Sequence, residues 1–237
     1  MFSYYGSKSK IIHYYPHPKF KRIIEPFAGS ARYACMYYAR DIWINDKYEV
    51  VYSIWKWIQQ ATRDDIARLP VIGKGEDLRD IKSLTQEERW LLGYLVNPGN
   101  SSPCNIVTGR ADGWGKGHDI NGRTNAIVIF KQNILRIIGK IDHWRITQRD
   151  YQKLPNLEAT WFIDPPYQFG GQTYIVNDID FKSLLRWIKN RRGETLTCEN
   201  TKNTWLDRYK ILKRIQGSQQ THTVEVLRYG YSRTPRR

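Results

Sequence analysis

Short apolar runs and apolar positions three or four residues apart alternate over the first sixty residues. Residues 22–25 read as a strand, 30–40 as a helix and 42–45 as a second strand that ends at Asp46. This β-α-β order with short turns predicts a parallel sheet with right-handed crossovers. Val50, Val51, Ile54, Trp55 and Ile58 then mark a helix with one buried face. From about residue 63 to 139 the alternation stops. Thr85-Gln86-Glu87-Glu88 reads as a capping box that opens a helix through Val96, and a further helix is expected over 125–138, closed by Gly139. Between these two helices, residues 97–123 are dense in Gly, Asn, Ser, Pro and Thr, and loops of that length in a compact domain usually serve function or move. Strands resume at 144–147, 159–163, 194–198, 209–215 and 221–229, with a helix at 181–190. The pattern therefore predicts an α/β domain made of residues 1–62 and 140–237, split by a mainly helical insertion at 63–139.

A chain of 237 residues fits one sizeable core or one α/β domain with an inserted subdomain, and is short for two independent domains. Its three cysteines, Cys35, Cys104 and Cys198, are widely spaced and form neither C-x-x-C nor a Cys/His cluster, so a reducing compartment and no structural metal are expected. The N-terminus is too polar for a signal peptide and no run approaches a membrane span, which points to a soluble cytoplasmic protein, with a monomer as the default. Net charge is +15, and from Lys182 onward fourteen basic side chains face four acidic ones. A large polyanion is the natural partner. Nine Trp and sixteen Tyr supply flat faces for stacking on bases as well as for a core.

Two segments carry candidate chemistry. Asp164-Pro165-Pro166-Tyr167 follows an apolar strand and precedes Gly170 and Gly171. A carboxylate, a free carbonyl and an aromatic ring together suit the grip of an exocyclic amino group on a planar base, whereas the bland reading is a proline-rich turn. Upstream, Ile23-Ile24-Glu25-Pro26-Phe27-Ala28-Gly29-Ser30-Ala31 is a strand that breaks into a small-residue turn before a helix. Such a turn lets backbone approach a ligand, and Glu25 can accept hydrogen bonds; an ordinary αβ connection reads the same way. No G-x-G-x-x-G is present, and Gly6-Ser7-Lys8-Ser9 lacks the glycine and strand of a P-loop. Asp46, at the end of the second strand, stands where ribose hydroxyls are held, or where a following helix is capped. Asp150 is a pocket candidate by position or a surface acid. In the long loop, Arg110, Trp114, Lys116 and Arg123 suit phosphate or base contacts, tempered by Asp112 and Asp119.

Taken together, Glu25-Pro26-Phe27-Ala28-Gly29 and Asp164-Pro165-Pro166-Tyr167 resemble the Dam-type DNA adenine-N6 methyltransferases, and Tyr4-Tyr5-Gly6-Ser7-Lys8 resembles that family's N-terminal aromatic-x-Gly-x-Lys element. The order of these elements matches over nearly the whole chain, while the insertion matches only in placement and length. Ser30 and Ala31 depart from the family, which often carries glycines there. The resemblance implies a Rossmann-like methyltransferase fold, S-adenosylmethionine as cofactor with S-adenosylhomocysteine as product, and double-stranded DNA as partner, with no metal. It implies that Tyr4, Gly6, Lys8, Glu25, Phe27, Gly29 and Asp46, with Asp150, form the cofactor pocket. Asp164 and the Pro165 carbonyl would hold the target amino group, with Pro166 shaping the corner and Tyr167 stacking on the flipped base. Rival readings are methylation of cytosine N4 or an RNA base, and an inactive methyltransferase-like DNA-binding protein.

Overall fold

In the computed structural model, which describes residues 1–2, 4–97, 99–107, 126–216 and 222–232, the apolar runs become seven strands of one sheet. They are β1 (Arg22–Glu25), β2 (Asp41–Asn45), β3 (Arg145–Thr147), β4 (Ala159–Ile163), β5 (Gly193–Asn200), β6 (Lys210–Gln216) and β7 (His222–Ser232). Their order across the sheet is β3-β2-β1-β4-β5-β7-β6, with β1 to β5 parallel and β7 antiparallel to both its neighbours. Winding runs from β1 to β3 in one direction and continues with β4 on the other side of β1. The expected α/β class with a mostly parallel sheet is thus present.

The described chain divides into two compact units: Lys8–Tyr48 with Trp144–Arg237, and Met1–Ser7 with Glu49–His143. The first holds the whole sheet. Its central strands β4 and β5 are buried at every residue, so neither shows a solvent-facing alternation, and β5 buries two acids, Glu194 and Glu199, along with its apolar positions. Trp161 and Ile163 join a core with Leu184 and Ile188 of helix α6 (Phe181–Lys189). Phe162, between them, points the other way and stacks on Tyr33 of helix α1 (Arg32–Met36) at 4.5 Å. Helices therefore cover both faces of the sheet's centre. Helix α1 is shorter than the pattern predicts at both ends: the chain first passes through two left-handed residues, Gly29 at φ +46° and Ala31 at φ +43°, and Tyr37 leaves helical geometry at φ −118°.

The second unit is helical: α2 (Glu49–Gln60), α3 (Arg63–Arg68), α4 (Gln86–Val96) and α5 (Ala126–Ile134). The predicted box at Thr85 forms with Glu88, and a second, at Thr62 with Asp65, opens α3. The expected insertion at 63–139 differs from this division, because α2 and the N-terminal residues group with the helical unit. Packing explains it: α2 buries Val51, Ile54, Trp55 and Ile58, and Phe2 lies 5.7 Å from Trp55 and 5.8 Å from Tyr94 of α4. No described helix is long and apolar enough to cross a membrane.

Candidate functional site

The parallel strands end on one edge of the sheet, and β1 and β4 are neighbours there, with Ile23 opposite Thr160 and Ile24 opposite Trp161. This is a topological switch point, where open α/β sheets bind ligands outside the strands' carboxyl ends. Glu25 ends β1 and Asp164 follows β4, so both candidate carboxyls belong to this edge.

Asp164 is ion-paired. Lys8, in a single 3-10 turn at Lys8–Lys10, brings its Nζ to 2.7 Å from Asp164 Oδ1 and 3.8 Å from Glu225 Oε1. Lys8 is only 6% exposed. Burial alone would depress its ammonium pKa, but the Asp164 and Glu225 carboxylates outweigh burial and raise it. For Asp164 the balance goes the other way: burial dominates, Glu225 adds to it, Lys8 offsets only part, and the carboxyl is pushed up to about 6. Asp164 is thus mainly ionised at neutral pH but close to its titration range.

Around this pair stand Tyr167, expected from the sequence, and three groups that the sequence pattern missed: Tyr15, Cys198 and Glu225. Tyr15 and Tyr167 each donate a hydroxyl hydrogen bond of 2.5 Å to Glu225 Oε1, and Lys8 Nζ sits 4.7 Å from the centre of the Tyr167 ring. Cys198 is buried in the same group, and burial, with the neighbouring Asp164, keeps its thiol protonated well beyond the ordinary range. Glu225 reaches the site because β7 runs antiparallel to β5 and pairs it with Asn200, at the edge where β5 ends. The one available signal was an acid inside an apolar stretch of a strongly basic C-terminal region.

The chain after the tetrapeptide is latched to the end of β5. Fully buried Glu199 accepts from the Gln168 amide at 2.6 Å, from Asn200 N at 2.6 Å and from Trp205 Nε1 at 3.2 Å. Asn200 Nδ2 donates to the Phe169 carbonyl at 2.8 Å, and the Gly171 amide donates to the Tyr167 carbonyl at 3.0 Å. Gly171 has to be glycine on contact grounds, since a Cβ there would lie 2.9 Å from the Pro166 carbonyl carbon. Pro166 restricts Pro165 to an extended conformation, which fixes the direction of the Pro165 carbonyl.

The turn after β1 is also tied from within. Buried Glu25 accepts from the Ala34 amide of α1 at 2.5 Å; burial lifts its pKa well above the usual carboxylate range, and the nearby Asp164 charge adds to that. Asp46 accepts from Gly29 N and from Tyr48 N, each at 2.9 Å, joining the ends of β1 and β2, and burial pushes its carboxyl up to about 6 despite those bonds. Phe27 packs on Tyr151 at 5.2 Å. Asp150 caps the 3-10 turn Tyr151–Lys153 through the Gln152 amide and pairs with Lys47 at 3.3 Å. Tyr4 and Gly6 belong to the helical unit, where Tyr4 meets Tyr94 edge-on at 5.5 Å and Gly6 has φ +71°. Arg110, Trp114, Lys116 and Arg123 lie outside the described residues.

The structure therefore brings Lys8, Asp164 and Tyr167 together with Glu225, Tyr15 and Cys198. It brings Glu25 within electrostatic reach of Asp164 and binds Gly29 to Asp46, while Asp150 is engaged with Lys47 and its own turn. Among the described residues no three His, Cys, Asp or Glu side chains form a metal-binding group. No protein-family profile matches the chain, and no curated protein resembles it in sequence.

Proposed function

We propose that the protein transfers a methyl group from S-adenosylmethionine to the N6 amino group of adenine in duplex DNA, through a Rossmann-like methyltransferase fold. The observation that carries this reading is Asp164: a carboxylate at the switch point, ion-paired with Lys8, which also reaches Glu225, and followed by a restrained Pro-Pro-Tyr corner. The residues at the ends of β1 and β2 fit the donor. Glu25 and Asp46 are acceptors beside a left-handed turn at Gly29, and a carboxylate has about four lone-pair sites, so Asp46 can hold backbone amides and still accept from ribose hydroxyls. When bound, S-adenosylmethionine supplies an electrophilic methyl group on a sulfonium and leaves as S-adenosylhomocysteine.

The amino lone pair of adenine is delocalised into the ring, so the protein's task is to hold its hydrogens against acceptors that favour a tetrahedral nitrogen. Ionised Asp164 and the Pro165 carbonyl supply two such acceptors, and Asp164 takes up the proton that the nitrogen sheds. The Tyr167 ring offers a stacking face for a base, which must leave the duplex at a cost of a few kcal/mol. Its hydroxyl, tied to Glu225, fixes the ring's position. Alignment and charge contribute most of the acceleration in such a site.

The test is incubation with tritiated donor and a panel of duplex oligonucleotides, followed by digestion to nucleosides. Label is expected in N6-methyladenine, absent in Asp164→Asn, with donor binding in that variant within a few-fold of the parent. Label on cytosine would move the reading to another exocyclic amine, and transfer by Asp164→Asn would remove Asp164 from the chemistry.

A further inference from the structure

At the opposite end of the same strands, roughly 16 Å along β4 from Asp164, the sheet unit contains a cavity of about 360 Å³. It lies at the amino end of β5, the carboxyl end of β7 and the end of α6, and Lys189, Arg191, Arg208 and Arg228 line it with Asp207 as the lone carboxylate. Asp207 is already shared: it accepts from Arg228 Nε at 2.7 Å and from Lys189 Nζ at 2.9 Å, and the Arg228 bond holds its pKa well below the usual carboxylate range. Arg208 is exposed and has no ion pair among the described residues.

Arg191 is the telling member. It is 9% exposed and has no carboxylate partner among the described residues. Its Nε donates to the Trp187 carbonyl at 3.1 Å, capping the end of α6, and the guanidinium lies 4.2 Å from the Trp187 ring, yet Nη1 finds no acceptor. Burying an unpaired cation is costly, and the usual remedy is an anion. Gly230 lines the cavity too, and its lack of a side chain leaves the room that the Thr195 hydroxyl and the Arg228 guanidinium occupy, since a Cβ there would meet Thr195 Oγ1 at 2.4 Å and Arg228 Nη1 at 3.1 Å.

We propose that this cavity binds a phosphate-class oxyanion. Four cations against one carboxylate that is already engaged leave excess positive charge for an anion, and guanidinium groups present the forked donors that phosphate oxygens accept. The volume accommodates a phosphoryl group together with part of what carries it. The chemistry is shared by small phosphate compounds and by a nucleic-acid phosphodiester, and it does not depend on the methyl-transfer reading.

The experiment is titration calorimetry of the full chain with inorganic phosphate, against chloride at matched ionic strength. Saturable binding to a single site is expected, weakened at least tenfold in Arg208→Glu and in Arg191→Met. Arg208 is exposed, so its variant keeps the test meaningful if Arg191→Met fails to fold. Phosphate that binds no better than chloride, or Arg208→Glu that binds it as tightly as the parent, overturns the proposal. A competition arm separates the sources, both consistent with it. If phosphate leaves a labelled duplex bound and Arg208→Glu leaves duplex affinity unchanged, the occupant is a small phosphate compound. If phosphate displaces the duplex and the variant binds DNA more weakly, the occupant is a backbone phosphate.

Discussion

Replacing Lys8 by methionine probes the charge balance of the proposed site directly. In the parent, Asp164 titrates at about 6 because burial and Glu225 raise it while Lys8, 2.7 Å away, offsets part of that rise. An opposite charge at contact is worth about 1 to 3 pH units to a carboxylate. Removing it, with Glu225 still present, should carry Asp164 from about 6 to about 8. At pH 7 the ionised fraction then drops from about nine-tenths to about one-tenth, a loss of roughly tenfold in rate from protonation alone. The assay is initial-rate methyl transfer at saturating donor from pH 5 to 9.5, with circular dichroism to confirm folding. The parent should plateau above pH 7, whereas Lys8→Met should recover most of its rate only near pH 9, and Lys8→Arg should keep the parental acid limb. An acid limb that stays near pH 6 in a folded Lys8→Met would refute the assignment of Lys8 as the cation that keeps Asp164 ionised.

Other consequences are equally open to measurement. Gly171→Ala should push a Cβ against the Pro166 backbone and reduce transfer at least tenfold while the urea midpoint moves little, and parental activity would mean that the corner's position is not critical. Glu199→Ala leaves the Gln168 and Asn200 amides and the Trp205 indole without their acceptor, so unfolding free energy should fall by about 2 to 4 kcal/mol; a change under about 0.5 kcal/mol in urea melts would contradict the latch. Asp46 and Asp164 both titrate at about 6 in the folded state against an ordinary 3.8, so between those values the native protein binds more protons than the unfolded chain. Unfolding free energy should therefore rise by roughly 1.5 kcal/mol as pH falls from 7 to 5.5, and a decrease over that interval would reverse the sign of the argument.

What the sequence disclosed was what is local. The strand before Asp164 and the proline corner occupy consecutive residues, and the β1 turn with its glycine is equally compact, so both could be read without any tertiary information. Glu225 could not, because it lies 61 residues beyond Asp164 and arrives through the register of β7 on β5, which no spacing rule encodes. Tyr15 was hidden for a related reason: it belongs to no periodic element, and its partner is 210 residues away. The start of helix α1 was placed too early because apolar periodicity is silent about the left-handed backbone at Ala31, a position where glycine would be the unstrained residue. The grouping of α2 with the helical unit followed from which surface its stripe covers, and the stripe alone names no partner.

A turn that merely connects β4 to the next element needs none of the groups gathered at Asp164. Its cheapest form would be polar and solvated, with no buried lysine and no second carboxylate 3.8 Å from that lysine. Here the opposite holds: Glu25, Asp46, Asp164 and Glu199 are all raised by burial, which means that each resists ionisation. Such groups weaken a fold unless something else retains them, and they cluster at the one edge where the winding of the sheet reverses. Two of them, Glu25 and Glu199, have a structural reason in the amides they accept, and Asp46 has one in the turn it ties. Asp164 is held by side chains, Lys8 and Tyr167, rather than by a backbone amide of its own corner, and the proposed reading gives it a role as acceptor of a substrate's N–H.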